Sequence, residues 1–293
     1  MSGPRLLVVE CDPSDPAARL GAWLAEAGAE LDVRQAWQPE ALPGAVDGID
    51  GLVVLGGPMG ANDDAAHPWL VALRALLREA VSREVPTLGV CLGEQLLAAA
   101  TGGQVERNPA GPEFGAQLVA KRAAASTDPL FGPMPITPDV IQWHVDAVTV
   151  LPPGAIQLAS SPGCDIQAFR LGRLAWGIQF HIETTPAIVR AWAAEDAELL
   201  DGSDVDSLLA RADAAHDDVA EVWQPFATAF VELARDPSGV RPARGVPTST
   251  AAPITDPAQI RAALAAELTQ ARGGPSPLPM PGPRPYGHSP GDD

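Results

Sequence analysis

Ten residues, Pro86-Thr87-Leu88-Gly89-Val90-Cys91-Leu92-Gly93-Glu94-Gln95, restrict the fold of this chain more than any others. A short apolar strand runs into a cysteine between two glycines, and a helix-forming stretch, Glu94 to Ala100, follows at once. That order is a nucleophile elbow, a tight strand-to-helix turn that holds one side chain out above a sheet. A side chain at 89 or 93 would strike the neighbouring strand or the helix start, so glycine is required there. The first-turn amides, at the positive end of the helix dipole, lie beside the sulfur and favour a thiolate.

A nucleophile needs a base, and Trp176-Gly177-Ile178-Gln179-Phe180-His181-Ile182-Glu183 offers one. Ile178, Phe180 and Ile182 alternate with Gln179, His181 and Glu183, which predicts a strand that carries His181 and Glu183 on one face near its end. Thr185 then reads as a helix N-cap with Pro186 at the first helical position. A carboxylate beside an imidazole fixes its tautomer and stabilises its protonated form. His181 can thus take the proton of Cys91 and return it to a leaving amine. A third piece is the turn Gly56-Gly57-Pro58-Met59-Gly60 after the buried strand Gly51 to Leu55. Acyl transfer needs N–H donors for the tetrahedral oxyanion, and the amides of Gly57 and Leu92 are the candidates.

At these three places the chain resembles the class I, or triad, glutamine amidotransferases. The residues are Gly89-Val90-Cys91-Leu92-Gly93-Glu94-Gln95, the pair His181-Ile182-Glu183 and the turn Gly56-Gly57-Pro58, in the family's order and spacing. Within that family it is most similar to stand-alone proteins like the amidotransferase domain of GMP synthetase, and Trp143-His144-Val145-Asp146 and Leu151-Pro152-Pro153-Gly154 resemble a segment of those. The resemblance spans about 5–200. The usual His-Pro-Glu has Ile182 in place of proline, which leaves both chemical groups intact. It implies hydrolysis of the glutamine γ-amide: Cys91 attacks the carbonyl, a γ-glutamyl thioester forms, ammonia leaves and water releases glutamate. It also implies a substrate-binding role for Gln95, with Gly56 beside it, and the use of no cofactor or metal.

Alternating elements near 5–10, 15–27, 31–36, 51–56, 68–83, 85–90 and 92–101 predict an open, mostly parallel twisted α/β sheet with helices on both faces. From 104 to 183 the runs shorten (114–120, 139–150, 155–160, 165–170), which predicts a smaller antiparallel β addition. Helices are expected over 186–199 and 204–234, where Val219, Val222, Trp223, Phe226, Phe230 and Leu233 mark a packed face. The opposite face, with His216-Asp217-Asp218, reads as solvated rather than as a metal site. Residues 1–235 are therefore read as one domain. Residues 236–293 hold twelve of the chain's 31 prolines and are read as a disordered tail, with one isolated helix expected over 257–272.

The formal charge of −18 argues against nucleic acid or an anionic membrane surface as partner. From Asp236 on, five acids balance five arginines, so the excess belongs to the part before. Lys121 is the one lysine in the sequence, and no P-loop precedes it. No apolar run reaches the roughly twenty residues of a membrane helix. Three cysteines give no disulfide framework, Cys11 and Cys164 read as ordinary thiols, and Met1 to Arg5 lead straight into a strand. A cytoplasmic protein is expected. His144 is expected to pack or to rim the pocket, His67 to mark a helix entry, and Asp63 and Asp64 to cap a helix start or to pair with its dipole.

Two other functions fit the same residues. One is a γ-glutamyl hydrolase for small γ-glutamyl peptides or amines, since only the leaving amine changes; its contacts are expected from loops 58–67 and 104–115. The other is a non-catalytic protein that binds a metabolite or partner on the same fold. If ammonia is used, a separate synthetase must accept it, because no ATP-binding motif accompanies the site.

Overall fold

The computed structural model describes residues 3–39 and 42–240. The chain begins with β1 (Arg5–Glu10), α1 (Ala18–Glu26), β2 (Glu30–Gln35), β3 (Gly51–Val54), α2 (Trp69–Ser82), β4 (Thr87–Val90) and α3 (Leu92–Ala100). Further strands precede the last helices: β5 (Gln104–Arg107), β6 (Glu113–Leu118), β7 (Ala120–Lys121), β8 (Asp139–His144), β9 (Asp146–Val150), β10 (Ile156–Ser160), β11 (Ala168–Leu171) and β12 (Ala175–Ile178). Two helices follow, α4 (Pro186–Glu195) and α5 (Val205–Arg235).

The main sheet has eight strands in the order β2-β1-β3-β4-β12-β11-β10-β7. Its pairings from β2 to β12 are parallel, and those from β12 onward are antiparallel. Two small antiparallel sheets, β5–β9 and β6–β8, stand beside it. Parallel strands covered on both faces carry apolar residues on both faces in succession, and β1 does so from Leu6 to Val9. Leu6 and Val8 face a core built with α1 and α5, while Leu7 and Val9 face the one built with α2 and α3. A third cluster joins Ile141 and Trp143 of β8 to Val189 and Trp192 of α4 and Leu208 of α5.

Several expectations need correction. The alternation at 176–183 is not one strand: β12 ends at Ile178, and His181 instead makes an isolated antiparallel bridge to Ile141. Residues 179–183 are buried whether polar or apolar, so the alternation separates core from pocket rather than core from water. The expected strand 139–150 is two strands that break at Val145. The first part of the expected loop 104–115 is the strand β5. The first helix starts at Ala18 rather than near 15, which leaves Asp15 in the loop after β1. His216 is buried, not solvated; its Nδ1 meets the Ala212 carbonyl and its Nε2 lies 3.2 Å from Thr184 Oγ1. Asp64 pairs with Arg74 on α2 rather than capping that helix, and Asp63 accepts the Gly60 amide at 2.7 Å.

The packed face of α5 is as its periodicity predicts: Val219, Trp223, Phe226 and Phe230 are buried. After α5, Val240 is buried, and the Arg173 guanidinium donates to the carbonyls of Pro237 and Val240. The polyproline-like segment and the helix expected over 257–272 lie outside the described residues. Among those described, no helix is long and apolar enough to cross a membrane.

Candidate active site

The elbow has the geometry that its glycines demand. Cys91 sits between β4 and α3 with φ 51° and ψ −108°, a conformation that L-residues rarely adopt. A Cβ on Gly89 would lie 2.4 Å from the Gly93 carbonyl oxygen, and one on Gly93 would lie 2.1 Å from that of Val54. The Cys91 amide donates to the Ile178 carbonyl at 2.8 Å, which ties the turn to the end of β12. The thiol is buried, 3.9 Å from the Trp143 carbonyl and 3.5 Å from Gln179 Nε2.

His181 is placed by its bridge to Ile141, where both backbone hydrogen bonds form. Its Nδ1 lies 2.6 Å from Glu183 Oε1, and the other carboxylate oxygen of Glu183 accepts the Ile182 amide at 2.9 Å. With Nδ1 donating to a carboxylate, Nε2 is the nitrogen left to accept a proton, and it has no hydrogen-bond partner among the described residues. The Trp192 ring stands 4.7 Å from the imidazole. Burial opposes the imidazolium, but the Glu183 carboxylate and the Cys91 sulfur outweigh it and hold the His181 pKa well above its ordinary value.

After β3 the chain makes the Gly56-Gly57 turn, close to both partners. A Cβ on Gly56 would fall 2.5 Å from Asp15 Oδ1 and 3.0 Å from His181 Cε1. One on Gly57 would fall 2.7 Å from Met59 Sδ and 3.1 Å from a methyl of Leu92. The amides of Gly57 and Leu92 have no partner among the described residues, as a pair of oxyanion donors requires. Gln95 is buried, and its Nε2 donates to the Asp146 carbonyl and to Gln179 Oε1, each at 3.1 Å.

Cys91, His181, Gly57 and Gln95 share the wall of one cavity of about 380 Å³. Phe114, Trp143 and Trp192 are the aromatic residues that line it, and the acids Asp15, Asp63, Asp146, Glu195 and Asp196 line it against the single guanidinium of Arg107. Of the loops expected to contact a leaving group, 58–67 contributes Met59 and Asp63, while Arg107 comes from β5 itself. Gly56 is not on this wall, but Gly57 is.

Sequence reasoning missed three contributors. Asp15 follows β1 at the sheet's C-terminal edge, a position where α/β sheets bind ligands. Gln179 was read as part of a strand, and it meets both Gln95 and the sulfur. Trp192 lies on α4, where its helical spacing gives no hint of the pocket. His144 lines the cavity, as a pocket-rim residue would, and on its far side Nε2 lies 3.1 Å from Glu113 Oε2, whose carboxylate also accepts from Gln167 and Ser161. Cys164 stands with Glu113 and His144 in a group compact enough to hold a cation. Burial, with Glu94 and Glu113 nearby, pushes that thiol up to about 12, which disfavours a thiolate ligand. The group reads as a hydrogen-bond network. Asp15, His181 and Glu183 form a second compact group, in which Glu183 already occupies His181 Nδ1.

A model of the family described as glutamine amidotransferase class-I matches residues 19–190. A glutamine-hydrolyzing GMP synthase subunit of Halobacterium salinarum is 37% identical over 144 residues, 48% of this chain and 69% of that protein. Gamma-glutamyl peptidase 3 of Arabidopsis thaliana is 30% identical over 149 residues, 49% of this chain and 58% of the peptidase. Among solved structures, a glutamine amido transferase from Methylobacillus flagellatus matches with a TM-score of 0.69 at 29% identity, over 83% of this chain and 97% of that one.

Proposed function

Because the chain belongs to the class-I glutamine amidotransferase family, we propose that it hydrolyses the γ-amide of glutamine through a thioester on Cys91. The observation that carries this reading is the constellation around one sulfur: an elbow cysteine at φ 51°, an imidazole with an open Nε2, and a carboxylate 2.6 Å from Nδ1. In the first half-reaction Cys91 Sγ bonds to the γ-carbonyl carbon and its proton passes to His181 Nε2. The Gly57 and Leu92 amides hold the oxyanion. The C–N bond then breaks, His181 protonates the leaving nitrogen, and ammonia departs. In the second, water attacks the thioester, His181 takes its proton, and the proton returns to the sulfur as glutamate leaves. Gly56 and Gln95 are assigned to substrate binding, Gly56 through the turn it begins.

A second reading, hydrolysis of small γ-glutamyl peptides or amines, has its own support. The cavity of about 380 Å³ that holds Cys91 is also lined by Trp192, Glu195 and Leu199 on and after α4, a size that suits a small peptide or amine as well as glutamine. The plant relative is also named a γ-glutamyl peptidase. A separate synthetase that accepts ammonia is the partner we propose for the first reading, on the strength of the relative named as one subunit of GMP synthase. Residues 1–235 form the catalytic domain in this proposal, with 236–240 packed against it.

The test is glutamate release from L-glutamine by the purified protein, with Cys91→Ala as blank. Cys91-dependent release supports the first reading. Release from γ-glutamyl amines or dipeptides but not from glutamine moves the assignment to the second, and no Cys91-dependent release from any of them defeats both.

A further inference from the structure

We propose that Asp15 is a second carboxylate for His181, a positioning residue that steadies the imidazolium while the Cys91 proton is held there. This rests on the hydrolytic reading above. Asp15 lies in the loop between β1 and α1 and is 6% exposed. Its place is well defined: its amide donates to the Asp12 carbonyl at 3.1 Å, and the Ser14 hydroxyl lies 2.8 Å from both Asp15 Oδ2 and Asp12 Oδ1. Trp192 Nε1 donates to the Ser14 carbonyl at 3.0 Å and so fastens the loop to α4. Oδ1 of Asp15 receives no hydrogen bond among the described residues, and Asp15 lines the cavity beside Cys91 and His181.

The approach to His181 is made possible by Gly56. The position a Cβ would take there is 2.5 Å from Asp15 Oδ1 and 3.0 Å from His181 Cε1, so the carboxylate and the ring edge face one another across a missing side chain. Polar atoms of Asp15, His181 and Glu183 all lie within 4.8 Å of one another. Glu183 therefore serves Nδ1, Asp15 stands near the Cε1 edge of the ring, and Cys91 neighbours the ring as well. The charged or titratable groups around the imidazole are Glu183 from its own segment, Cys91 from the elbow, and Asp15 with Asp12 behind it from the β1–α1 loop. From α4 comes the uncharged Trp192.

Capping does not explain Asp15. The N-cap position of α1 is Ala17, and no side chain caps that end. Burial pushes the Asp15 carboxyl up to about 6, against the pull of His181 and the Ser14 hydroxyl, so Asp15 is ionised at neutral pH despite its burial. A cleft carboxylate perturbed by desolvation and by a specific charged partner is a candidate for a functional role. Asp15 takes no proton in the step: the sulfur loses it, His181 carries it, and the leaving nitrogen receives it.

The test compares wild type with Asp15→Asn, which keeps the shape and the bond to Ser14, and with Asp15→Glu. The titration midpoint of His181 is read from its Cε1–H NMR signal, assigned with His181→Asn, and kcat and KM are measured for glutamine. Loss of one charge about 5 Å away at an effective dielectric near 20 shifts a midpoint by at most about two pH units, and by about one once the opening of the cavity to solvent is allowed for. We expect that downward shift in Asp15→Asn, a fall in kcat of about tenfold, a KM within about twofold, and recovery of most of the midpoint in Asp15→Glu. An unmoved midpoint in a folded Asp15→Asn overturns the proposal, as does a rise in KM with kcat unchanged, which would make Asp15 a substrate contact. The NMR signal needs no substrate. A shifted midpoint in Asp15→Asn, alongside a wild type that hydrolyses nothing, would leave the electrostatic role standing and defeat the hydrolytic reading alone.

Discussion

At Cys91 the backbone holds a left-handed conformation that costs about 1–3 kcal/mol. The cost is met because the Cys91 amide is bonded to β12 and the residues on either side are locked in β4 and α3. Around that sulfur the proposed roles differ in weight. A positioned general base contributes about 10²–10⁴ in rate. His181→Asn should therefore lose about a thousandfold in kcat/KM, and Glu183→Gln, which can still hold Nδ1, should lose less; steady-state rates on one substrate check the order. Asp15 makes a separate prediction for stability. Its folded pKa, about 6, lies above the ordinary 3.8. Its contribution is thus fully present below about pH 4 and lost as pH rises through 6. At pH 8 the wild type carries a penalty on the order of 2–3 kcal/mol that Asp15→Asn escapes. Urea unfolding at pH 4 and pH 8 should show the variant gaining stability over wild type only at the higher pH. A site residue that lowers stability is the expected sign of function retained at a cost.

Among the elements, the elbow is the one most completely written in local sequence. Its constraint is steric and short-range: Gly89 faces the Gly93 carbonyl, and Gly93 faces that of Val54. Gly89→Ala places a Cβ 2.4 Å from backbone that cannot step aside, so it should destabilise the fold by about 3 kcal/mol and slow turnover together. Chemical denaturation and kcat, read on the same preparation, check both. The helix start at Thr185-Pro186 was legible for the same local reason, and Thr185 Oγ1 accepts the Ile188 amide. Long-range matters were not legible. The alternation through Ile178, Phe180 and Ile182 has a strand's period, yet the chain there leaves the main sheet and bridges to β8. Asp15 was hidden by a helix expected from residue 15; Pro16 biases the residue before it away from helical backbone. His216 was hidden by its charged neighbours Asp217 and Asp218, although the tertiary fold turns it inward. The side chains that close the pocket come from separate elements, and no spacing in the sequence encodes that meeting.

On the scale of the whole molecule, the body and the chain after α5 meet at Arg173. Its bonds to the Pro237 and Val240 carbonyls, with the burial of Val240, make residues 236–240 part of the body's packing. A chain ended after Arg235 should be less stable than one ended after Val240 by about 1–2 kcal/mol; calorimetry of the two truncations decides it. The sheet order has a further consequence. β4 and β12 lie side by side, Thr87 against Ala175, although α3 and all the strands from β5 to β11 are synthesised between them. Pairing between such distant segments is slow and comes late in folding. On the ribosome, the thiol emerges long before the imidazole, and for that interval the nascent chain carries a cysteine without its base. In the proposed mechanism the last parallel seam is thus also the arming step: acyl chemistry would become available only once β12 has closed on β4.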